Sequence, residues 1–170
     1  MEKVSLANGR PLLDGVFGPL THEEDAQIRS ILAAVDDQLL SLAKHFGSNH
    51  AGLGSTGLEL CLLASGQLSI NSYVETTDSD EHAADFLVEL APSWCAGDRS
   101  GDRVWTIEAT IEVDCQHVVD HKAMETVYDR GDISAVTPKA AAQALLQAAT
   151  DLVHLGMSHP VEHWTALATD

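Results

Sequence analysis

The sequence predicts a single α+β domain in which two long helices cover one face of an antiparallel sheet of about five strands. Three observations lead to this prediction. Residues 103–115 alternate between apolar and polar side chains, and residues 21–46 and 137–155 each carry an apolar stripe at helical spacing. A chain of 170 residues also has the length of about one domain. The predicted order is α-β-β-β-β-β-α, with the strands mostly in a meander.

Residues 103–115 are predicted to be the central strand. One parity is apolar and consists of Trp105, Ile107, Ala109, Ile111, Val113 and Cys115. The other parity is polar and consists of Thr106, Glu108, Thr110, Glu112 and Asp114. Because successive side chains of a strand point to opposite faces, we expect a sheet with one buried and one wet face.

The first helix has a clear start signal. Residues 1–20 are rich in turn formers and are predicted to be an arm laid over the core. Thr21 and Glu24 then form the pattern of a capping box. The apolar stripe that follows consists of Ile28, Leu32, Val35, Leu39, Leu42 and Phe46. Gly47 is the predicted end of the helix.

Residues 47–57 are predicted to be a flexible connection. Gly52, Gly54 and Gly57 match the G-x-G-x-x-G pattern of dinucleotide-binding proteins. That fingerprint follows a strand and opens a helix, whereas here a helix precedes it and a strand follows. We therefore expect no dinucleotide, and no other cofactor is implied.

Alternating or apolar runs predict the remaining strands, which are residues 58–64, 68–75, 84–90 and 124–128. The first two form a predicted hairpin at Ser65-Gly66. Pro92 is the predicted end of the third strand, and a short helix from Asp80 is the alternative for that region.

The last helix is predicted to begin at Thr137-Pro138, an N-cap followed by proline, and to close at Gly156. The tail 157–170 contains Pro160 and Trp164 and is predicted to be a docked cap.

The charge excludes several classes of partner. The chain has 26 acidic and 9 basic residues, a formal net charge of −17. Such a surface repels nucleic acids and anionic membranes and attracts a basic protein or metal ions. The alternative is that the charge only keeps the protein soluble.

The three cysteines contain no C-x-x-C pair, so neither a disulfide framework nor a zinc ribbon is expected. Without an apolar leader or a long apolar run, the sequence predicts a cytoplasmic protein.

The wet face of the sheet is the first candidate site. The side chains predicted to point to this face are those of Glu59, Glu75, Glu89, Glu108, Glu112 and, if the fifth strand keeps the register, Glu125. Like charges directly opposite each other destabilise a sheet, so this set suggests a docking face for a basic partner. The alternative is a staggered set of carboxylates that salt screens from one another. The predicted binding residues are Glu59, Glu75, Glu108 and Glu112.

The predicted function is that of a noncatalytic protein-binding module, such as a chaperone, an inhibitor or an immunity protein. The order of elements is loosely similar to that of type III secretion chaperones, which are also small acidic α+β proteins. This similarity concerns architecture and predicts a fold rather than an activity. The sequence is also compatible with a homodimer.

Residues 115–121 are the second candidate site. His117, Asp120 and His121, next to Cys115, are donor types that bind transition metals, and a metal-binding protein or metal-dependent enzyme is the alternative function. The spacing His-x-x-x-His recurs at His159 and His163. It brings two imidazoles together only on a helix, however, and neither segment has a helical pattern. A third alternative is a small-molecule pocket between sheet and helices.

Overall fold

The computed structural model describes residues 10–49, 53–62, 66–76, 82–94, 103–114, 124–130 and 133–166. The helices are α1 (Arg10–Phe17), α2 (His22–Asn49), α3 (Pro138–Met157) and α4 (Val161–Ala166). The strands are β1 (Leu53–Leu62), β2 (Leu68–Thr76), β3 (His82–Trp94), β4 (Arg103–Asp114), β5 (Met124–Asp129) and β6 (Ile133–Ala135). The prediction of an antiparallel sheet of about five strands with two long helices, in that order, is confirmed.

The sheet is an antiparallel meander in the order β1-β2-β3-β4-β5. The short strand β6 pairs with residues 105–107 of β4, whereas β5 pairs with residues 110–114. The apolar parity of β4 is buried, as its alternation predicts, and α2 and α3 pack on that inward face.

The start of α2 is the predicted capping box. The Thr21 backbone N–H donates to Glu24 Oε2 at 2.9 Å, and the Glu24 N–H donates to Thr21 Oγ1 at 3.3 Å. Two N–H groups that lack helical partners are thereby satisfied reciprocally. The whole apolar stripe of α2, from Ile28 to Phe46, is buried in the core.

The predicted connection over residues 47–57 is wrong at both ends. Helix α2 passes Gly47 and ends at Asn49, and β1 begins at Leu53. A glycine inside a helix destabilises it by only about 1 kcal/mol. Burial of the helical turn before Gly47 outweighs this cost, so the helix continues past the glycine. In β1, Gly57 pairs with Tyr73 through the backbone, which requires no side chain. Gly47, Gly54 and Gly57 therefore mark neither a helix stop nor a loop.

Gly156 was predicted to close the last helix, but α3 continues to Met157 and is capped at Ser158. The start is as predicted, since Thr137 Oγ1 accepts from the Ala140 N–H at 3.2 Å. Gly156 lies within the last turn of α3. Packing explains why a glycine is found there, because an added Cβ would lie 2.9 Å from Leu42 Cδ1. Its role is the close approach of α3 to α2.

Strand β3 passes through Pro92, which was predicted to end it. Within the described residues, the pairing of β2 with β3 reaches only Leu90, while Pro92 pairs with Trp105 of β4. At Pro92 the strand is therefore paired on one side only among the described residues and is locally an edge strand. Proline is tolerated there because the unpaired side needs no N–H donor. The alternative of a short helix near residue 80 does not hold for residues 82–94, which are a strand.

Both ends of the described chain are docked by tryptophans. Trp105 Nε1 donates to the carbonyl of Val16 at 2.9 Å, which fixes the end of α1 against β4. Trp164 Nε1 donates to the carbonyl of Gly156 at 3.2 Å, and its ring meets Phe86 edge-on at 5.5 Å. The predicted arm therefore contains a helix, and so does the predicted tail.

Candidate functional site

The outward face of the sheet carries the acidic residues of β3 and β4. Most of the described side chains of β2, β3 and β4 that point away from α2 and α3 are partly exposed, but Thr110 is buried. We call the following set the acidic face: Asn71, Asp85, Leu87, Glu89, Glu108, Thr110 and Glu112. No lysine or arginine occupies an outward position among the described residues of these three strands.

Four carboxylates of the acidic face form two directly opposed pairs. The register of β3 and β4 places Asp85 opposite Glu112 and Glu89 opposite Glu108. Residues directly opposite each other have Cβ atoms roughly 5 Å apart, and four residues along a strand span about 13 Å. Leu87 and Thr110 form the pair between them. The result is two acidic rows that flank a less polar centre.

Neutral amides hold the β3 carboxylates in place. Asn71 Nδ2 donates to Asp85 Oδ1 at 2.9 Å, and Gln67 Nε2 donates to Glu89 Oε1 at 3.1 Å. These donors orient the carboxylates without adding positive charge. The Oδ1 atom of Asn71 is buried and accepts no hydrogen bond from the described residues. The acidic face therefore combines negative charge with an acceptor that no described residue satisfies.

Glu112 shows the electrostatic cost of this arrangement. Burial raises the pKa of its carboxyl above the usual value of 4.5, and the charges of Asp85 and Glu89 raise that pKa further. A carboxylate whose folded pKa is raised destabilises the fold when it is ionised. Stability is therefore expected to fall as the pH rises from the ordinary glutamate value through the raised pKa of Glu112.

Replacing Glu112 with glutamine is expected to raise the melting temperature at pH 7, because the amide removes the buried charge. The gain should shrink towards about pH 4, where a glutamate in the unfolded chain is itself largely protonated. Asp37→Asn, which makes the same charge change at an exposed position of α2, is the control and should gain little. Thermal melts of the three proteins across this pH range make the test. A gain that is equal in both variants, or that persists unchanged at pH 4, would contradict the assignment to Glu112.

The other glutamates predicted for this face are placed by their backbone pairing only. Glu59 of β1 pairs with Asn71, a member of the acidic face, and Glu75 of β2 pairs with His82 of β3. Glu125 pairs with Val113, whose side chain is in the core. Position 125 therefore does not share the parity of Glu108 and Glu112.

The predicted metal site lies outside the described residues, since Cys115, His117, Asp120 and His121 belong to the segment between β4 and β5. Within the described part of the chain, no group of three or more His, Cys, Asp or Glu side chains could hold a metal ion. No helix in that part is both long and apolar enough to cross a membrane.

Asp85 is the acidic-face residue that the sequence reasoning missed. The signal was present, because Asp85 and Glu89 are four residues apart and share one parity of β3. What the sequence did not contain is the register that puts them opposite Glu112 and Glu108.

Comparison with protein-family models, with curated proteins and with solved structures finds no match to this chain.

Proposed function

We propose that this chain is a noncatalytic protein-binding module, of the chaperone, inhibitor or immunity type, whose acidic face binds a basic partner. The single observation that supports the proposal most is the double opposition of carboxylates, Asp85 with Glu112 and Glu89 with Glu108. Opposed like charges destabilise a sheet, so their presence in two rows of one face suggests a compensating role. A lysine or arginine from a partner would place positive charge against these carboxylates.

The raised pKa of Glu112 supports the same proposal in energetic terms. An incoming cation would favour the ionised carboxyl and relieve the repulsion from Asp85. Leu87, at the centre, gives the face an apolar contact between its two charged rows. The partner expected from this layout presents two cationic side chains about 13 Å apart with a small or apolar group between them.

A cationic probe can locate the binding surface. Nuclear magnetic resonance spectra of ¹⁵N-labelled protein, titrated with a short lysine-rich peptide at low salt, should show shifts concentrated in residues 85–89 and 108–112. The exposed helical carboxylates Glu23 and Asp37 provide the internal comparison, because they carry the same charge without an opposed partner on a neighbouring strand. Shifts that are as large around Glu23 and Asp37 as around β3 and β4 would indicate nonspecific attraction to a protein of charge −17 and would contradict the proposal.

A further inference from the structure

An aromatic cluster lies at the corner between α3 and α4. The rings of His159 and His163 are stacked, with centroids 4.2 Å apart and planes inclined by 20°. Both rings meet Trp164 edge-on, at 5.4 Å and 4.8 Å respectively. Both histidines are only partly buried, so solvent reaches the cluster. The sequence pattern predicts no helix here, but α4 begins at Val161 and brings the two imidazoles together.

The hydrogen bonds of Ser158 fix the tautomer of His159. Ser158 Oγ lies 2.6 Å from the carbonyl oxygen of Leu155 and 2.8 Å from His159 Nδ1. A serine hydroxyl has a single proton, and the hydroxyl donates it to the Leu155 carbonyl, which can only accept. The hydroxyl must therefore accept from His159, so Nδ1 carries the proton. In the neutral ring, the lone pair is then on Nε2 and remains available to a ligand.

We propose that His159 and His163 form a two-histidine site for a divalent transition-metal ion such as zinc. An imidazole that donates one ring N–H to a fixed acceptor and presents its other nitrogen is the usual arrangement of a metal-bound histidine. Two nitrogen ligands of a tetrahedral zinc ion are about 3.4 Å apart, given a Zn–N distance of about 2.1 Å. The centroids are 4.2 Å apart, so the two rings are neighbours, and a turn of one ring can bring one nitrogen of each to that distance.

The site needs one local adjustment. Stacked rings direct their lone pairs side by side, so the ring of His163 must turn about χ1 and χ2 for both nitrogens to reach one ion. Ser158 holds the other ring, and the surrounding solvent completes the coordination of the ion. With two protein ligands the ion is exchangeable, and the charge of −17 raises the local concentration of cations. This site is independent of the acidic face and of the partner proposed for it.

Zinc binding to untagged, EDTA-treated protein tests the proposal. Calorimetric titration with zinc chloride should show one saturable ion per chain, and zinc should raise the melting temperature, because a ligand that binds the folded state stabilises it. His159→Gln and His163→Gln should each abolish this binding. Ser158→Ala should weaken it by about tenfold, because the residue that orients a metal ligand contributes that much to affinity.

The matched control is His154→Gln, an exposed histidine in the last turn of α3, which should bind zinc like the unchanged protein. Each variant is compared with its own EDTA-treated baseline, so a change in intrinsic stability does not enter the result. An unchanged protein that binds no zinc would overturn the proposal. Binding retained by His159→Gln and His163→Gln would overturn it as well, because the ion would then lie elsewhere, for example in the segment 115–121.

Discussion

Ile107→Asp is expected to unfold the protein. Ile107 is fully buried at the centre of β4, where it pairs with Leu90 of β3 and Ile133 of β6. An unpaired carboxylate in this position costs about 4 kcal/mol or more, through desolvation or through enforced protonation. Because a domain of this size is stable by only about 5–15 kcal/mol, the loss should be visible as a collapse of the thermal transition.

The neighbouring substitution Thr106→Asp is the control. Thr106 points to the outward side of the same strand and is partly exposed, so the new charge stays in contact with water. Melting curves followed by circular dichroism should show a small shift for this variant and no cooperative transition for Ile107→Asp. Equal losses in both variants would mean that the inward and outward faces of β4 have been assigned the wrong way round.

The sequence predicted those elements in which one periodicity extends over many residues. The alternation along residues 103–115 identifies β4 and its buried parity, since a slip of one residue would expose Trp105 and Ile107 together. The stripe of α2 and the pairing of Thr21 with Glu24 similarly define a helix and its start. These predictions agree with the structure because burial of one face and capping of a helix start both leave a pattern in residues that are close in sequence.

The sequence misled at glycines and prolines, which have more than one structural use. Gly47 lies inside α2, Gly57 pairs in β1, and Gly156 lies where α3 approaches Leu42. Pro92 remains in β3 because β2 no longer pairs there. For Gly57, Gly156 and Pro92 a contact distant in sequence decides the outcome, and a local glycine propensity of about 1 kcal/mol cannot oppose it.

The candidate site could be predicted only in part. The parity of β4 already placed Glu108 and Glu112 on one face of the sheet. The opposition of these residues to Glu89 and Asp85 depends on the register of β3, which is set by turns and packing outside both strands. The stacking of His159 and His163 similarly depends on α4, a helix of 6 residues that is too short for a periodic pattern.

Reversing the charge of the acidic face tests its role in binding. The protein partner is first captured from the source lysate at low salt, and its association with Glu108→Lys/Glu112→Lys is then followed in real time. The control is Glu23→Lys/Asp37→Lys on exposed positions of α2, which changes the net charge by the same amount. Glu24 is left unchanged because it caps that helix. Electrostatic complementarity acts mainly on the association rate, so this rate and its salt dependence are the informative quantities.

The association rate constant of the β4 double variant at low salt is therefore the most direct measurement. The acidic face predicts a rate at least about tenfold below that of the unchanged protein, a difference that high salt removes, and a much smaller change in the α2 control. Equal slowing of both double variants, or of neither, would contradict binding through Asp85, Glu89, Glu108 and Glu112.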